Sequence, residues 1–271
     1  MTDLPIAGRV DSDDLGIAYL DWGGTGPPLL LLHPNGFCAG VYDPLARGLV
    51  DRCRVVGVDL RGHGGSDDVT DSSLLGNDAI AMDVLAVADH LGIERFAILG
   101  VSFGGAVGIE VAVAAPERVG ALVLCEAIAI EAGAREEQHF GAAGDDHPLA
   151  IGARRRRDVW DDRAAVLASY GSRPPMEALD PEALAGYVRW GFRDREDGTV
   201  ESFEALQRVT SPSAVMAGTH TDLDPSWFAA QADALGVELQ LVDGGHFCLF
   251  EDTGRAVRLV DDNLRALGYL P

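Results

Sequence analysis

The sequence predicts an α/β fold: a mostly parallel sheet with helices on both faces and a helical insertion. Three observations predict it. Short, wholly apolar runs such as Pro28–Leu32 and residues 121–125 read as strands buried on both faces. Stretches with apolar residues at helical spacing alternate with them through the first half of the chain, as a parallel sheet with crossover helices requires. That alternation stops after Glu126 and strand signals return only at Ser213, which leaves a polar, Arg-rich, helical middle.

Taken in order, residues 17–22 fit an edge strand, ended by the Gly/Pro-rich turn 23–27. Pro28–Leu32 follows as a central strand. Residues 54–59 carry Val55, Val56 and Val58 and form the next one. Residues 77–91 place Ile80, Val84, Val87, Ala88 and Leu91 on one helical face. An apolar strand from Arg95 then runs into Gly100-Val101-Ser102-Phe103-Gly104, and an Ala-, Val- and Gly-rich helix ends before Pro116. Residues 121–125 form another buried strand. Strands return at 213–217 and 237–242, with a helix over 227–235 between them and a last helix over 254–267. The core therefore spans residues 1–127 and 210–271, and residues 128–209 form a helical cap over it. The chain shows no internal repeat.

Composition narrows the chemistry. At 271 residues with 47% hydrophobic content, the chain can bury a large core. The net charge of -22 argues against nucleic acid as a partner, because phosphates are repelled over most of the surface. The one basic cluster, Arg154 to Arg157, is followed by Asp158, Asp161 and Asp162 and reads as a charged helix face. There is no lysine, which excludes a Schiff base or a P-loop lysine on this chain. Cys38, Cys53, Cys125 and Cys248 are scattered and read as small apolar fillers, not as a zinc site or disulfide scaffold. The first 14 residues lack the apolar core of a signal peptide, and no apolar run is long enough to span a membrane, so the expectation is a soluble, cytoplasmic protein.

The segment around Ser102 carries the chemistry. A serine between glycines two residues before and two after, at a strand-to-helix turn, is the setting of a nucleophile elbow. Ser102 is the candidate nucleophile. Reactive groups of an open parallel sheet gather at the carboxyl ends of its strands, so the partners are sought there. His246 follows the last strand on the loop Asp243-Gly244-Gly245-His246 and is the candidate base. The other histidines are less well placed: His33 and His63 lie in early loops, His90 within a helix, His139 and His147 in the cap, and His220 after an earlier strand. Two positions suit the acid that orients the imidazole. Glu126 ends the strand 121–125, where a carboxylate needs a partner to offset its burial. Asp222, with Asp224 nearby, follows the strand 213–217, where it also reads as a turn or helix-capping residue. Glu126 is preferred and Asp222 is the alternative. The oxyanion hole needs two backbone N–H groups. Phe103 supplies one, and the loop His33-Pro34-Asn35-Gly36-Phe37 supplies the other through Asn35 or Gly36, since Pro34 has no N–H. Trp160, Tyr170, Tyr187, Trp190 and Phe192 of the cap are candidate pocket-wall residues, Trp160, Tyr187 and Trp190 foremost.

Together these segments, with Asp59-Leu60-Arg61-Gly62-His63-Gly64-Gly65-Ser66, resemble the α/β-hydrolase-fold serine hydrolases over nearly the whole chain. The resemblance implies an eight-stranded sheet with a helical cap, and Ser–acid–His chemistry in that chain order without metal or organic cofactor. Two departures stand out. His33-Pro34 replaces the common His-Gly. The usual acid position, after the strand 213–217, holds Thr221, with Asp222 one residue late. Some haloalkane dehalogenases and fungal zearalenone lactonases place the acid where Glu126 stands. The resemblance thus implies hydrolysis of an ester or lactone of a small, hydrophobic or aromatic molecule. The alternatives are a carbon–carbon bond hydrolase of vinylogous diketones, and a non-catalytic ligand receptor on the same fold. The Asp59 to Ser66 motif is expected to be structural.

Overall fold

The protein is described from a computed structural model covering residues 4–69, 72–128, 160–192, 213–223, 225, 228–229, 232 and 237–271. Its eight strands are β1 (Ile6–Ser12), β2 (Leu15–Gly23), β3 (Pro28–Leu32), β4 (Arg54–Val58), β5 (Phe96–Val101), β6 (Val119–Cys125), β7 (Ser213–Gly218) and β8 (Leu239–Val242). They form one sheet in the order β1-β2-β4-β3-β5-β6-β7-β8. The β1–β2 and β2–β4 pairs are antiparallel and every later pair is parallel.

The central strands lie in a dry interior, and their alternation sorts side chains between two helical layers. Leu29 and Leu31 of β3, with Leu99 and Val101 of β5, face one layer. This layer holds α1 (Asp43–Leu49), α5 (Pro181–Trp190) and the last helix α7 (Thr253–Ala266). Leu30, Leu32 and Ile98 face the other, made of α2 (Asn77–His90) and α3 (Phe103–Ala114). The helices α4 (Arg163–Tyr170) and α6 (Cys248–Glu251) complete the numbering.

Most elements lie where the sequence places them, but the strand predicted at 17–22 is not at the edge. As part of β2 it is flanked by β1, which pairs with it from Ile6↔Asp21 to Ser12↔Leu15. The edge strand escaped the hydrophobic pattern because it buries little: Ile6 is 73% exposed. Its turn was the better signal, since Asp13 and Asp14 both take positive φ (46° and 65°), as a tight two-residue hairpin requires. The 3-10 turn Ala39–Tyr42 and α1 were also not anticipated.

Residues 160–192 lie in sequence between β6 and β7 and hold α4, a 3-10 turn and α5. Helix α5 is pressed onto the core at a glycine crossing: a Cβ on Gly186 would collide with the Gly40 carbonyl, and one on Gly40 would meet the Gly186 carbonyl at 2.5 Å. The Arg154 to Arg157 run, His139 and His147 lie outside the described residues. So does most of the helix predicted over 227–235, of which Phe228 and Ala232 are buried against Val215 and Ala217.

The motif 59–66 is a buried polar scaffold, as expected. Asp59 accepts from the amides of Ala39 (2.7 Å) and Gly65 (2.8 Å). The Ser66 hydroxyl donates to the Asp59 carbonyl (2.6 Å) and accepts from the Ala18 amide (2.8 Å). Arg61, 1% exposed, grips Asp83 of α2 at 2.6 and 2.8 Å. Burial pushes the Asp83 carboxyl up from its ordinary range against the pull of Arg61.

Candidate active site

Ser102 stands between β5 and α3 with φ 53° and ψ −118°, a left-handed conformation that costs a non-glycine residue of order 1–3 kcal/mol. Its neighbours show why the turn needs glycines. A Cβ on Gly100 would meet the Gly105 Cα at 2.5 Å, and one on Gly104 would collide with the Leu32 carbonyl. The start of α3 can therefore press against the end of β3. Ser102 is 3% exposed, and its amide donates to the Cys125 carbonyl at 2.9 Å.

Glu126 occupies a second bend of the same kind. The β5–β6 register ends at Val101↔Cys125, so Ser102 and Glu126 each stand one residue beyond the last paired rung. Glu126 also has positive φ, 51°, and its amide is held by the Met216 carbonyl at 2.8 Å. Its carboxylate is fully buried and takes three hydrogen bonds. Oε1 accepts from the Gly218 amide at 2.7 Å, and Oε2 accepts from the Thr221 hydroxyl at 2.7 Å. The third contact, at 2.7 Å to Oε2, comes from Nδ1 of His246.

The other ring nitrogen of His246, Nε2, lies 3.1 Å from Ser102 Oγ. A buried carboxylate on Nδ1 fixes the proton there and leaves the Nε2 lone pair facing the serine. The imidazole side chain is 15% exposed. Its loop is clipped from two sides: the Gly245 amide donates to Glu251 of α6 (2.9 Å), and the Thr219 amide donates to the Val242 carbonyl (2.8 Å). The β7 end approaches this loop so closely that any side chain at Gly218 would collide with the Gly245 carbonyl. The structure thus brings Ser102, His246 and Glu126 into one hydrogen-bonded chain. Asp222, by contrast, is exposed.

The loop after β3 is held by two buried histidines whose rings are 4.8 Å apart. His33 places Nδ1 2.8 Å from the Pro34 carbonyl and accepts the Leu60 amide on Nε2 at 3.0 Å. His63 places Nδ1 3.2 Å from the Arg61 carbonyl and accepts the Gly36 amide on Nε2 at 3.2 Å. The Gly36 N–H is therefore tied to the His63 ring, so the loop carrying both candidate oxyanion donors, Asn35 and Gly36, is held by the 59–66 motif. The Pro34 carbonyl also accepts from the Phe37 amide at 3.2 Å. Because C=O and N–H of a trans peptide point to opposite sides, these two bonds fix the direction of the Asn35 N–H.

Burial lowers His33 from 6.5 to about 4, with the Pro34 bond opposing the shift. The unfolded chain takes up a proton near 6.5, while the native ring resists until about 4. Within that window the unfolded state binds more protons, so stability falls as pH falls, by about 3 kcal/mol across the full shift. Urea denaturation of wild type and His33→Asn at neutral pH and at about pH 4 checks this. The variant should lose that part of the pH slope. An unchanged slope would refute a neutral, buried His33.

Aromatic residues between β6 and β7 build a cluster that meets this loop through Tyr187. Tyr187 is fully buried, its ring 4.9 Å from Phe37, and its hydroxyl donates to the Gly36 carbonyl at 2.9 Å. Tyr170 stacks on Tyr187 and meets Trp160 and Phe192 edge-on. Trp190 packs its Cβ against Gly40. Phe37 also contacts Phe247, next to the candidate base, with centroids 5.1 Å apart. Sequence reasoning did not assign Gly218, Thr221 or Glu251 a part in holding the site. The available signal was a glycine ending β7 and a threonine just past it, where the expected carboxylate was missing.

No helix among the described residues is long and apolar enough to cross a membrane. Residues 27–148 match the model of a family described as alpha/beta hydrolase fold. The chain is 30% identical to the magnesium-chelatase 30 kDa subunit of Rhodobacter capsulatus over 233 residues, 82% of this chain and 81% of that protein. It is 27% identical to a putative non-heme haloperoxidase of Mycobacterium phage D29 over 249 residues, 88% of this chain and 87% of that one. Among solved structures it is similar to an E-2-(acetamidomethylene)succinate hydrolase, with a TM-score of 0.77 at 20% identity, covering 96% of this chain and 99% of that one.

Proposed function

This chain belongs to the α/β-hydrolase fold family, and from that premise we propose that it is a serine hydrolase that cleaves a small ester or lactone through an acyl-enzyme. The observation that carries the reading is the chain Ser102 Oγ, His246 Nε2, His246 Nδ1, Glu126 Oε2, with separations of 3.1 Å and 2.7 Å. Ser102 is the nucleophile, His246 the base, and Glu126 the acid that holds the imidazole tautomer.

Nε2 takes the proton of Ser102 as Oγ attacks the substrate carbonyl. The amides of Phe103 and of Asn35 or Gly36 receive the charge that develops on the carbonyl oxygen. His246 then protonates the leaving alkoxide, and in the second step deprotonates the water that releases the acid. In a lactone the alcohol so formed remains part of the acyl group, and that water releases the whole hydroxy acid from Ser102.

A serine at the elbow argues for carbonyl chemistry over carbon–halogen or epoxide opening. Alkylation of Ser102 would leave an ether with no carbonyl for water to attack, whereas a carboxylate nucleophile would leave a hydrolysable ester. We assign residues 128–209 to a cap and residues 1–127 and 210–271 to the core. The aromatic cluster from Phe37 to Trp160 supports a preference for an apolar or aromatic substrate.

The test is labelling with a fluorophosphonate followed by a screen of p-nitrophenyl esters, lactones of graded ring size and ring-fission dienoates. Covalent labelling that maps to Ser102, with turnover of esters or lactones, is expected. Turnover of dienoates alone would replace this reading with carbon–carbon bond hydrolysis. An unlabelled, inactive protein would leave a ligand receptor.

A further inference from the structure

We infer that Thr221 is a positioning residue for the reaction: its hydroxyl, with the Gly218 amide, locks the Glu126 carboxylate in the orientation that presents Oε2 to His246. The inference rests on the proposed roles of Ser102, His246 and Glu126.

The hydroxyl is an oriented donor. Thr221 Oγ1 accepts the Leu223 amide at 3.3 Å, which occupies a lone pair and leaves its single proton for Glu126 Oε2 at 2.7 Å. The terminal torsion of a glutamate is broad, so one hydrogen bond does not fix the carboxylate plane. Gly218 holds Oε1 from one side and Thr221 holds Oε2 from the other. With both in place, the lone pair on Oε2 not used by Thr221 meets Nδ1 at 2.7 Å.

The same geometry explains the residue type. A carboxylate at 221 would set two acceptors against each other beside the fully buried Glu126. With the acid on the β6 bend, position 221 needs a donor, and a hydroxyl with one proton and an acceptor site for Leu223 satisfies both sides. Among the described residues, the end of β7 and the loop after it donate to Glu126 through the Gly218 amide and the Thr221 hydroxyl.

Two variants separate the hydroxyl from the packing. Thr221→Val keeps the shape and removes the donor, and Thr221→Ser keeps the donor. Thr221→Val is expected to lower kcat roughly 10- to 100-fold with KM unchanged, because a misplaced orienting group acts on the chemical step and not on substrate binding. Thr221→Ser should stay within about twofold of wild type. The far-downfield proton resonance of His246 Nδ1–H, assigned by its loss in His246→Asn, gives a readout independent of turnover. It should broaden or vanish in Thr221→Val and persist in Thr221→Ser. If Thr221→Val does not fold, Thr221→Ala removes the same hydroxyl and serves in its place.

Retention of both kcat and the resonance without the hydroxyl overturns the inference. So does a Thr221→Ser variant as impaired as Thr221→Val. The underlying reading fails separately: if Glu126→Gln leaves kcat intact, Glu126 is not the acid. If Glu126→Gln is crippled and Thr221→Val is not, only the role of Thr221 falls.

Discussion

Ser102→Ala is expected to lower kcat/KM by roughly ten-thousand- to a million-fold on any ester or lactone the protein turns over, with the fold unchanged. The reason is that, among the described residues, Ser102 Oγ is the nucleophile in contact with His246 Nε2, at 3.1 Å. What remains without the hydroxyl is the polarising effect of the proposed oxyanion hole, which still favours attack by water over the uncatalysed reaction. The backbone provides a second, opposite readout. Ser102 holds φ 53° at a steric cost, and alanine inherits that cost while glycine does not. Ser102→Gly should therefore be as inactive as Ser102→Ala yet more stable, by about 1 kcal/mol. Denaturation midpoints and initial rates on one ester measure both. An active Ser102→Ala would end the acyl-enzyme mechanism.

Glu126→Gln should be nearly as damaging, with a loss of roughly a thousand- to ten-thousand-fold in kcat. The amide can still accept the Gly218 N–H on one side, so the local structure has a replacement for that bond. What it loses is the negative oxygen that keeps the proton on Nδ1 of His246 and stabilises the imidazolium formed as Ser102 attacks. A glutamine NH2 turned toward Nδ1 would favour the other tautomer, with Nε2 protonated and unable to act as base. Asp222→Asn is the control. Asp222 is exposed, so this change should stay within about twofold of wild type. A larger loss for Asp222→Asn than for Glu126→Gln would reverse the assignment of the acid.

Much of this arrangement is legible in the sequence, because the strongest signals arise from steric necessity. Gly100 and Gly104 surround Ser102 because the β5–α3 turn has no room for side chains, and that need is visible as a pattern. The buried strands read clearly because β3 to β6 are apolar on both faces. The legible features stop where burial stops. The strand β1 is half-exposed and was missed, although the two aspartates of its turn marked it. The support of the loop after β3 was not legible either. It depends on His63, a residue 27 positions away from Gly36 whose ring takes the Gly36 amide. The part played by Thr221 was hidden for a similar reason: it depends on a partner 95 residues earlier.

The twin left-handed bends at Ser102 and Glu126 have a mechanical consequence. Both residues follow the last rung of a single parallel ladder, one on each of two paired strands, so any flexing of the sheet carries them together and preserves their spacing. The imidazole is mounted separately, on a loop secured by Glu251, Thr219 and the β7 end. Drift of that mounting can silence the enzyme while the sheet stays folded. Engineering for heat tolerance of activity, as distinct from heat tolerance of the fold, therefore belongs at that clasp and not in the already dry interior.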